Sequence, residues 1–274
     1  MDCLKNLENP RVIAGGQSLV PMLNFRLIEP DHLIDLSGIT DLDYIKKSGE
    51  EISIGAMTTH RTVEFSEIIR THLPLMSLAV LSVGHRQIRN RGTIGGSLCH
   101  LDPSAEMPLV SMALDAQLVI TGVAGVRIVS IEDFCEDMLS PAIEPDEILS
   151  EIRFRPWQKG HGWAFTEYAR RLGDFAIVAA AALLDFGEDG RISKASLTLG
   201  GVGPVPTRIT EAEVELVGQR PSEELFARTA KYCAEIEPLD DPFVPGWYRQ
   251  RLSVKFAQRV LREAWAQSQV GNEH

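Results

Sequence analysis

The chain has 274 residues, 44% of them hydrophobic and 24% charged, which is enough for one large globular domain or two medium ones, each with its own core. Its net charge of −11 excludes a nucleic-acid binder, because phosphate backbones are met with surplus Lys and Arg. The same charge means that an anionic cofactor must be held largely by backbone N–H groups, which supply positive potential without charged side chains.

No apolar run approaches the roughly 18 residues of a membrane span. The N-terminus, Met1-Asp2-Cys3-Leu4-Lys5-Asn6, lacks the basic-then-apolar pattern of a secretion signal, so the expected location is cytoplasmic. In chain order, the apolar stretch Arg11-Val12-Ile13 runs directly into Gly15-Gly16. A helix is expected over Ser18–Arg26, closed off by Pro30. Strands are expected at His32–Leu36 and Glu51–Ala56, and a compact apolar helix at Pro74–Val83. Ala116–Thr121, Val126–Ile131 and Ile148–Phe154 read as strands, with β-branched residues between polar breaks.

Pro, Trp and two Gly interrupt the pattern at Pro156–Gly162, and a domain boundary is expected there. Beyond it, Ala176–Phe186 and Ile192–Leu199 flank Gly187-Glu188-Asp189-Gly190, a hairpin loop in which both glycines can take positive φ. The Ala179–Ala182 run has helix propensity, but the hairpin favours a strand. The last third reads as helical: Pro221 and Ser222 open one segment and Tyr248–Ala266 forms another. In the latter, Leu252, Phe256 and Val260 recur every four residues, and Leu261 and Trp265 widen the stripe. Such a stripe fits a helix packed on its own domain, or a face for another subunit.

Two segments carry chemistry. Ala14-Gly15-Gly16-Gln17-Ser18-Leu19 sits at a strand-to-helix junction, where paired glycines let the backbone turn sharply and approach a ligand. The N–H groups that follow suit a phosphate, and Ser18 suits either a phosphate oxygen or the helix cap. A plain turn with an N-cap reads the same way. The second segment is Gly92-Thr93-Ile94-Gly95-Gly96-Ser97, with Asp102-Pro103-Ser104-Ala105-Glu106 close behind. Its hydroxyls and backbone N–H groups suit a diphosphate, and its carboxylates suit a ribose hydroxyl or an adenine amino group. One such loop fits a surface turn, but two in one domain match a dinucleotide that has two phosphates to enclose.

Other nucleotide signatures are absent: no G-x-G-x-x-G follows a strand and no G-x-x-x-x-G-K-[ST] occurs. Gly200-Gly201-Val202-Gly203-Pro204 reads as a structural connection. Arg89 and Arg91 form a basic spot beside the second loop, open either to phosphate or partner contact or to plain solvent exposure. His85 and His100 bracket that loop without a second ligand at a metal spacing. Cys3, Cys99, Cys135 and Cys233 contain no C-x₂-C pair and no ferredoxin-type run, so they are expected as reduced thiols, with any iron–sulfur cluster on a partner.

The stretches Ala14–Pro21 (AGGQSLVP) and Arg89–Ser97 (RNRGTIGGS), with Asp102-Pro103, resemble the two FAD loops of the medium subunit of xanthine dehydrogenase and carbon monoxide dehydrogenase-type molybdenum hydroxylases. Phe165–Ile177 (FTEYARRLGDFAI) and Gly200–Pro204 resemble that family's C-terminal domain, so the similarity spans almost the whole chain in the expected order. The resemblance implies an α+β chain: a vanillyl-alcohol-oxidase (PCMH)-type FAD-binding domain of two subdomains over 1–157, then an α+β domain with a short antiparallel sheet over 158–274. It further implies that Ala14, Gly15, Gly16, Gln17, Ser18 and Leu19, with Thr93, Ile94, Gly95, Gly96 and Ser97, cradle the FAD diphosphate. Asp102 and Glu106 would sit near the ribose or adenine end, Leu149 would give a backbone or apolar contact, and Tyr168 would lie near the flavin ring. The family carries a strand and most of a helix ahead of its first glycine loop. Here that loop begins at residue 14 and only Leu4–Glu8 matches the helix tail, which implies either that the true start lies ahead of this sequence or that the first subdomain is shortened.

The function so implied is electron transfer. A large partner carrying molybdenum cofactor oxidises the substrate, a small partner with two-iron–two-sulfur clusters relays electrons, and the FAD on this chain passes them to an external acceptor. No catalytic acid or base is then needed here. The rival readings are a stand-alone FAD-dependent oxidoreductase of the same fold, which would need its own substrate pocket, and a flavin-free scaffold.

Overall fold

Short glycine-bounded strands build the N-terminal half of this computed structural model, which describes residues 1–270; positions 271–274 of the expected 158–274 domain lie outside the described residues. Helix α1 (Asp2–Asn6) leads into β1 (Pro10–Ile13), α2 (Leu19–Asn24) and β2 (His32–Asp35). β1 and β2 pair in parallel from Pro10↔His32 to Ile13↔Asp35, so the chain must cross over between them through α2. α2 ends sooner than the expected Arg26. Arg26 takes φ 53°, and Leu27 N–H donates to the Met22 carbonyl while Arg26 N–H donates to that of Leu23, a left-handed helix terminus.

The second subdomain starts with β3 (Ile45–Ser48) and β4 (Glu51–Gly55). Six helices follow: α3 (His60–Phe65), α4 (Glu67–His72), α5 (Pro74–Ala79), α6 (Arg86–Arg89), α7 (Ile94–His100) and α8 (Glu106–Ala113). β5 (Gln117–Gly122), β6 (Gly125–Ser130), α9 (Ile131–Phe134), β7 (Cys135–Asp137), β8 (Ser140–Pro141) and β9 (Glu147–Phe154) complete it. The five-stranded antiparallel sheet runs β3-β4-β9-β5-β6. β3 was not expected, because Ile45-Lys46-Lys47-Ser48 has one apolar residue; it is an edge strand, where lysines discourage pairing with another chain. α8 escaped notice for a different reason. All eight of its residues are buried, so no polar face marks its period.

The C-terminal half holds β10 (Gly162–Tyr168), β11 (Val178–Phe186), β12 (Ile192–Gly200) and β13 (Thr207–Arg208), an antiparallel sheet in that order. α10 (Thr210–Leu216), α11 (Glu223–Thr229) and α12 (Gly246–Val270) follow. The Ala179–Ala182 run is strand, as the hairpin signal indicates, and of the loop's two glycines it is Gly190 that takes positive φ, at 74°.

β11 is buried on both faces. Ala179, Ala181 and Leu183 join the core of the N-terminal half, while Val178, Ala180, Ala182 and Leu184 join a second core beneath α12. This explains an unbroken apolar run where a half-exposed strand would alternate. Small side chains there let elements approach closely: a Cβ on Gly162 would collide with the Ala264 carbonyl of α12. The buried stripe of α12 accordingly holds Ser253, Ala257, Val260, Leu261, Ala264 and Ser268, while the expected Leu252, Phe256 and Trp265 lie half-buried on its flanks.

Candidate cofactor site

The first glycine bend leaves β1 at Ala14. Gly16 takes φ 73°, a region that L side chains enter only with strain. A Cβ on Gly15 would collide with the Arg91 carbonyl oxygen, and would stand 2.7 Å from the Arg91 carbonyl carbon and 2.8 Å from the Gly92 Cα. A Cβ on Gly96 would stand 3.6 Å from that of Ala14. The two diglycine bends therefore meet backbone to backbone. Among the described residues, no protein acceptor takes the N–H groups of Gly15, Gly16, Gln17 or Ser18. The Gln17 amide braces the bend by donating to the Gly15 carbonyl at 3.0 Å, and Ser18 makes no side-chain capping bond, so its hydroxyl is free. The α2 helix has only six residues, so the donors this bend offers an anion are its unclaimed amides rather than a helix dipole.

The second bend is built differently. Ile94 N–H donates to the Thr58 carbonyl at 3.0 Å, Gly95 N–H to that of Ala56 at 2.9 Å, and Gly96 N–H to the Thr93 hydroxyl at 3.1 Å, which caps α7. The Ile94 side chain is fully buried, and a Cβ on Gly95 would lie 2.5 Å from that of Ala56. Expecting the amides of both bends to face the ligand thus needs correction. Ile94 and Gly95 dock α7 onto the strand-end segment Gly55–Thr59. This bend leaves the ligand the Thr93 N–H, which has no protein acceptor among the described residues, and the hydroxyls of Thr93 and half-buried Ser97.

Ala14, Gly15 and Thr93 line one cleft of about 280 Å³ together with Ser37, Ile39, Thr40, Asp43, Met57, Thr59, Asn90 and Arg91. Of those additional wall residues the sequence singled out only Arg91, although Ser37 and Thr59 are hydroxyls placed in segments that follow strands. Arg91 brings a cation to the cleft. Arg89 does not: its guanidinium bonds Glu64 at 2.9 Å and the carbonyls of Leu81, Val83 and Gly84, clamping the segment that leads to the second bend. Two Ser37 hydrogen bonds, and more weakly the Arg91 charge, hold the Asp35 carboxyl below its usual range.

The remaining expected residues lie away from this cleft. Half-buried Asp102 follows Leu101, which takes φ 50°, and its carboxylate accepts Ser104 N–H at 2.9 Å. Glu106 is 6% exposed at the head of α8, and burial, aided by the charges of Glu167 and Asp102, pushes its carboxyl up to about 8. Its protonated form is favoured at neutral pH, and it lies near enough to feel the charge of the C-terminal domain's Glu167, whose carboxyl burial also raises. The Leu149 side chain belongs to the core, so only its backbone can meet a ligand. Tyr168 closes β10, with its ring 6.5 Å from that of Phe256 on α12 and its hydroxyl beside that of Tyr248. Burial pushes the Cys99, Cys135 and Cys233 thiols up to about 12, which keeps them protonated and unreactive. Among the described residues no cluster of metal-ligating side chains occurs, and no helix is long and apolar enough to cross a membrane.

Comparison with known proteins is consistent from end to end. Residues 1–157 match the family model for the FAD binding domain in molybdopterin dehydrogenase, and residues 163–264 match that for the CO dehydrogenase flavoprotein C-terminal domain. The chain is 38% identical over 259 residues to the caffeine dehydrogenase subunit beta of Pseudomonas sp. (strain CBB1), covering 94% of this chain and 88% of that protein. It is 35% identical over 262 residues to the carbon monoxide dehydrogenase medium chain of Afipia carboxidovorans, covering 95% and 91%. A solved structure of carbon monoxide dehydrogenase from Hydrogenophaga pseudoflava superposes with a TM-score of 0.94 at 32% identity, over 97% of this chain and 93% of that one. The chain belongs to the family of FAD-binding medium subunits of carbon monoxide dehydrogenase and xanthine dehydrogenase-type oxidoreductases.

Proposed function

We propose that this chain holds FAD across the two glycine bends and serves as the electron-transfer subunit of a cytoplasmic molybdenum hydroxylase complex. The observation that carries the reading is the backbone contact between the bends, with four unclaimed amides from Gly15 to Ser18 beside it. Those amides and the Ser18 hydroxyl would bind the diphosphate, with the Thr93 N–H and the Thr93 and Ser97 hydroxyls on its other side. Such an array suits an acidic protein, since it attracts an anion without surplus Lys or Arg. Ala14 and Leu19 would flank the diphosphate, Asp102 the ribose, the Leu149 backbone and Tyr168 the flavin end. Glu106, neutral and within reach of the Glu167 charge, would act at the seam between the two halves rather than by charge on the ribose.

When bound, FAD supplies two-electron storage, and the protein positions and tunes it. A large partner with molybdenum cofactor and a small partner with iron–sulfur clusters would deliver the electrons, and an external acceptor would remove them. The domain division we favour is 1–157 and 158–274, with the junction between β9 and β10. Native purification of the tagged full chain tests the reading: one FAD per chain, a large and a small partner, and molybdenum and iron should be recovered together. A colourless chain that binds no added FAD would sink it.

A further inference from the structure

His60 opens α3 directly beneath the second bend. Its backbone N–H donates to the Gly92 carbonyl at 2.9 Å. A Cβ on Gly92 would stand 3.3 Å from the ring Nδ1 and 3.5 Å from Cε1, so the imidazole packs against the backbone that leads into Thr93. The side chain is 4% exposed, and neither ring nitrogen has a hydrogen-bond partner. A buried neutral imidazole carries one donor and one acceptor, and leaving both unmade is costly. Its charged neighbour is Arg89 on α6, which is itself tied to Glu64 of α3 and to three carbonyls and cannot swing to the ring or the ligand. The Thr93 carbonyl lies beside the ring, outside hydrogen-bond geometry, and accepts from Ser97 N–H.

We propose that His60 is a proton-linked positioning residue, taking one proton from solvent when a diphosphate seats on the amides above it. The step makes and breaks no covalent bond other than that N–H. Without the ligand, burial and the Arg89 charge, opposed by the Thr93 carbonyl, push the ring down to about 4, so it is neutral at ordinary pH. A dianionic diphosphate one backbone layer away supplies the opposite charge that Arg89 denies it, and opposite charge favours the protonated ring. The imidazolium can then donate to the Thr93 carbonyl, fixing the residue whose own N–H faces the cleft. The inference rests on the proposed dinucleotide site.

The test titrates the full chain with FAD, by fluorescence and by calorimetry in buffers of different ionisation heat. Because one linked proton gives at most about tenfold per pH unit, FAD should bind about five- to thirtyfold more tightly at about pH 5.5 than at about pH 8, with net proton uptake. His60→Gln keeps a polar side chain that cannot titrate, and should bind FAD with neither slope nor uptake. His100, whose imidazole burial holds below its ordinary range, provides the control, and His100→Gln should retain both. Binding of FAD to the wild type without proton uptake overturns the role of His60 alone, as does a His60→Gln variant that keeps the wild-type slope. Failure of the wild type to bind FAD at either pH overturns the dinucleotide site itself.

Discussion

Substituting Gly15→Ala tests the contact on which the cofactor site depends. The new methyl would meet the Arg91 carbonyl oxygen, the Arg91 carbonyl carbon at 2.7 Å and the Gly92 Cα at 2.8 Å. All three are main-chain atoms, so no rotamer change relieves the clash. Bringing those carbon contacts out to an ordinary separation of about 3.5 Å requires the bends to part by at least about 0.8 Å, and clearing the oxygen requires more. Overpacking of this kind costs about 1–3 kcal/mol in the free protein. Binding suffers separately, because Gly15–Ser18 and Thr93 would no longer converge on one diphosphate. A hydrogen bond to a charged group contributes about 1.5–3 kcal/mol, so losing one of them weakens FAD binding by about 10- to 150-fold. Fluorescence titration measures the affinity, and thermal melting of the apo chain measures the packing cost. Gly38→Ala is the control: it lies beside the cleft residue Ser37, and its Cβ would meet nothing within 4 Å. If Gly15→Ala bound FAD within about threefold of wild type and melted normally, the bends would not be in the contact described.

Three further outcomes separate the parts of the molecule. Gly95→Ala places a methyl 2.5 Å from the Ala56 Cβ and 2.6 Å from its carbonyl oxygen, and should lower the urea midpoint by a stability loss of about 2–3 kcal/mol; an unchanged midpoint would remove Gly95 from the α7 dock. Arg249→Met strips donors from the carbonyls of Ile177 and Gly201 and a partner from Asp241, all where Arg249 is buried, and should destabilise by about 3–5 kcal/mol in urea melts; a loss below about 1 kcal/mol would make that bridge incidental. Glu106 has a folded value of about 8 against an ordinary 4.5, so the fold prefers its protonated form. Its contribution is whole below about pH 4.5 and is lost as pH rises toward about 8, with a ceiling on the order of 5 kcal/mol. Glu106→Gln has no proton to lose, so its melting temperature should fall less than that of the wild type over this window; parallel profiles would refute the assignment.

Local signals carried the strands and failed where burial was complete or tertiary. Glu51–Gly55 and Glu147–Phe154 were legible from β-branched runs, and the alanines of β11 from the hairpin beside them. α8 was not, because a helix apolar on every side has no period to read. The stripe of α12 was placed about one residue off. Large residues attracted the assignment, whereas the face against the alanines of β11 needs Ser253, Ala257, Ala264 and Ser268. In the site, both diglycine pairs stood out, and so did Thr93 and Ser18. The walls from Ser37 to Asp43 could not, since their place beside Arg91 comes from the crossover between β1 and β2.

The two diglycine pairs look equivalent in sequence, yet they act on different links of the chain from fold to function. Gly15-Gly16 turns the backbone so that its amides stay unclaimed, and an unclaimed amide is one that a diphosphate can take. Gly95-Gly96 surrenders its amides to Ala56 and Thr93, and in return α7 sits close enough for Thr93 to reach the same cleft. On the proposed reading, one pair binds and the other positions. This division follows from the hydrogen-bond count alone, because a donor committed to a protein carbonyl cannot also hold a ligand at full strength. It requires Gly15→Ala to act on affinity as well as stability and Gly95→Ala mainly on stability. Equal effects of both substitutions on both measurements would mean that the bends work as a single unit, and that the amides of α7 exchange their carbonyl partners for phosphate when the cofactor enters.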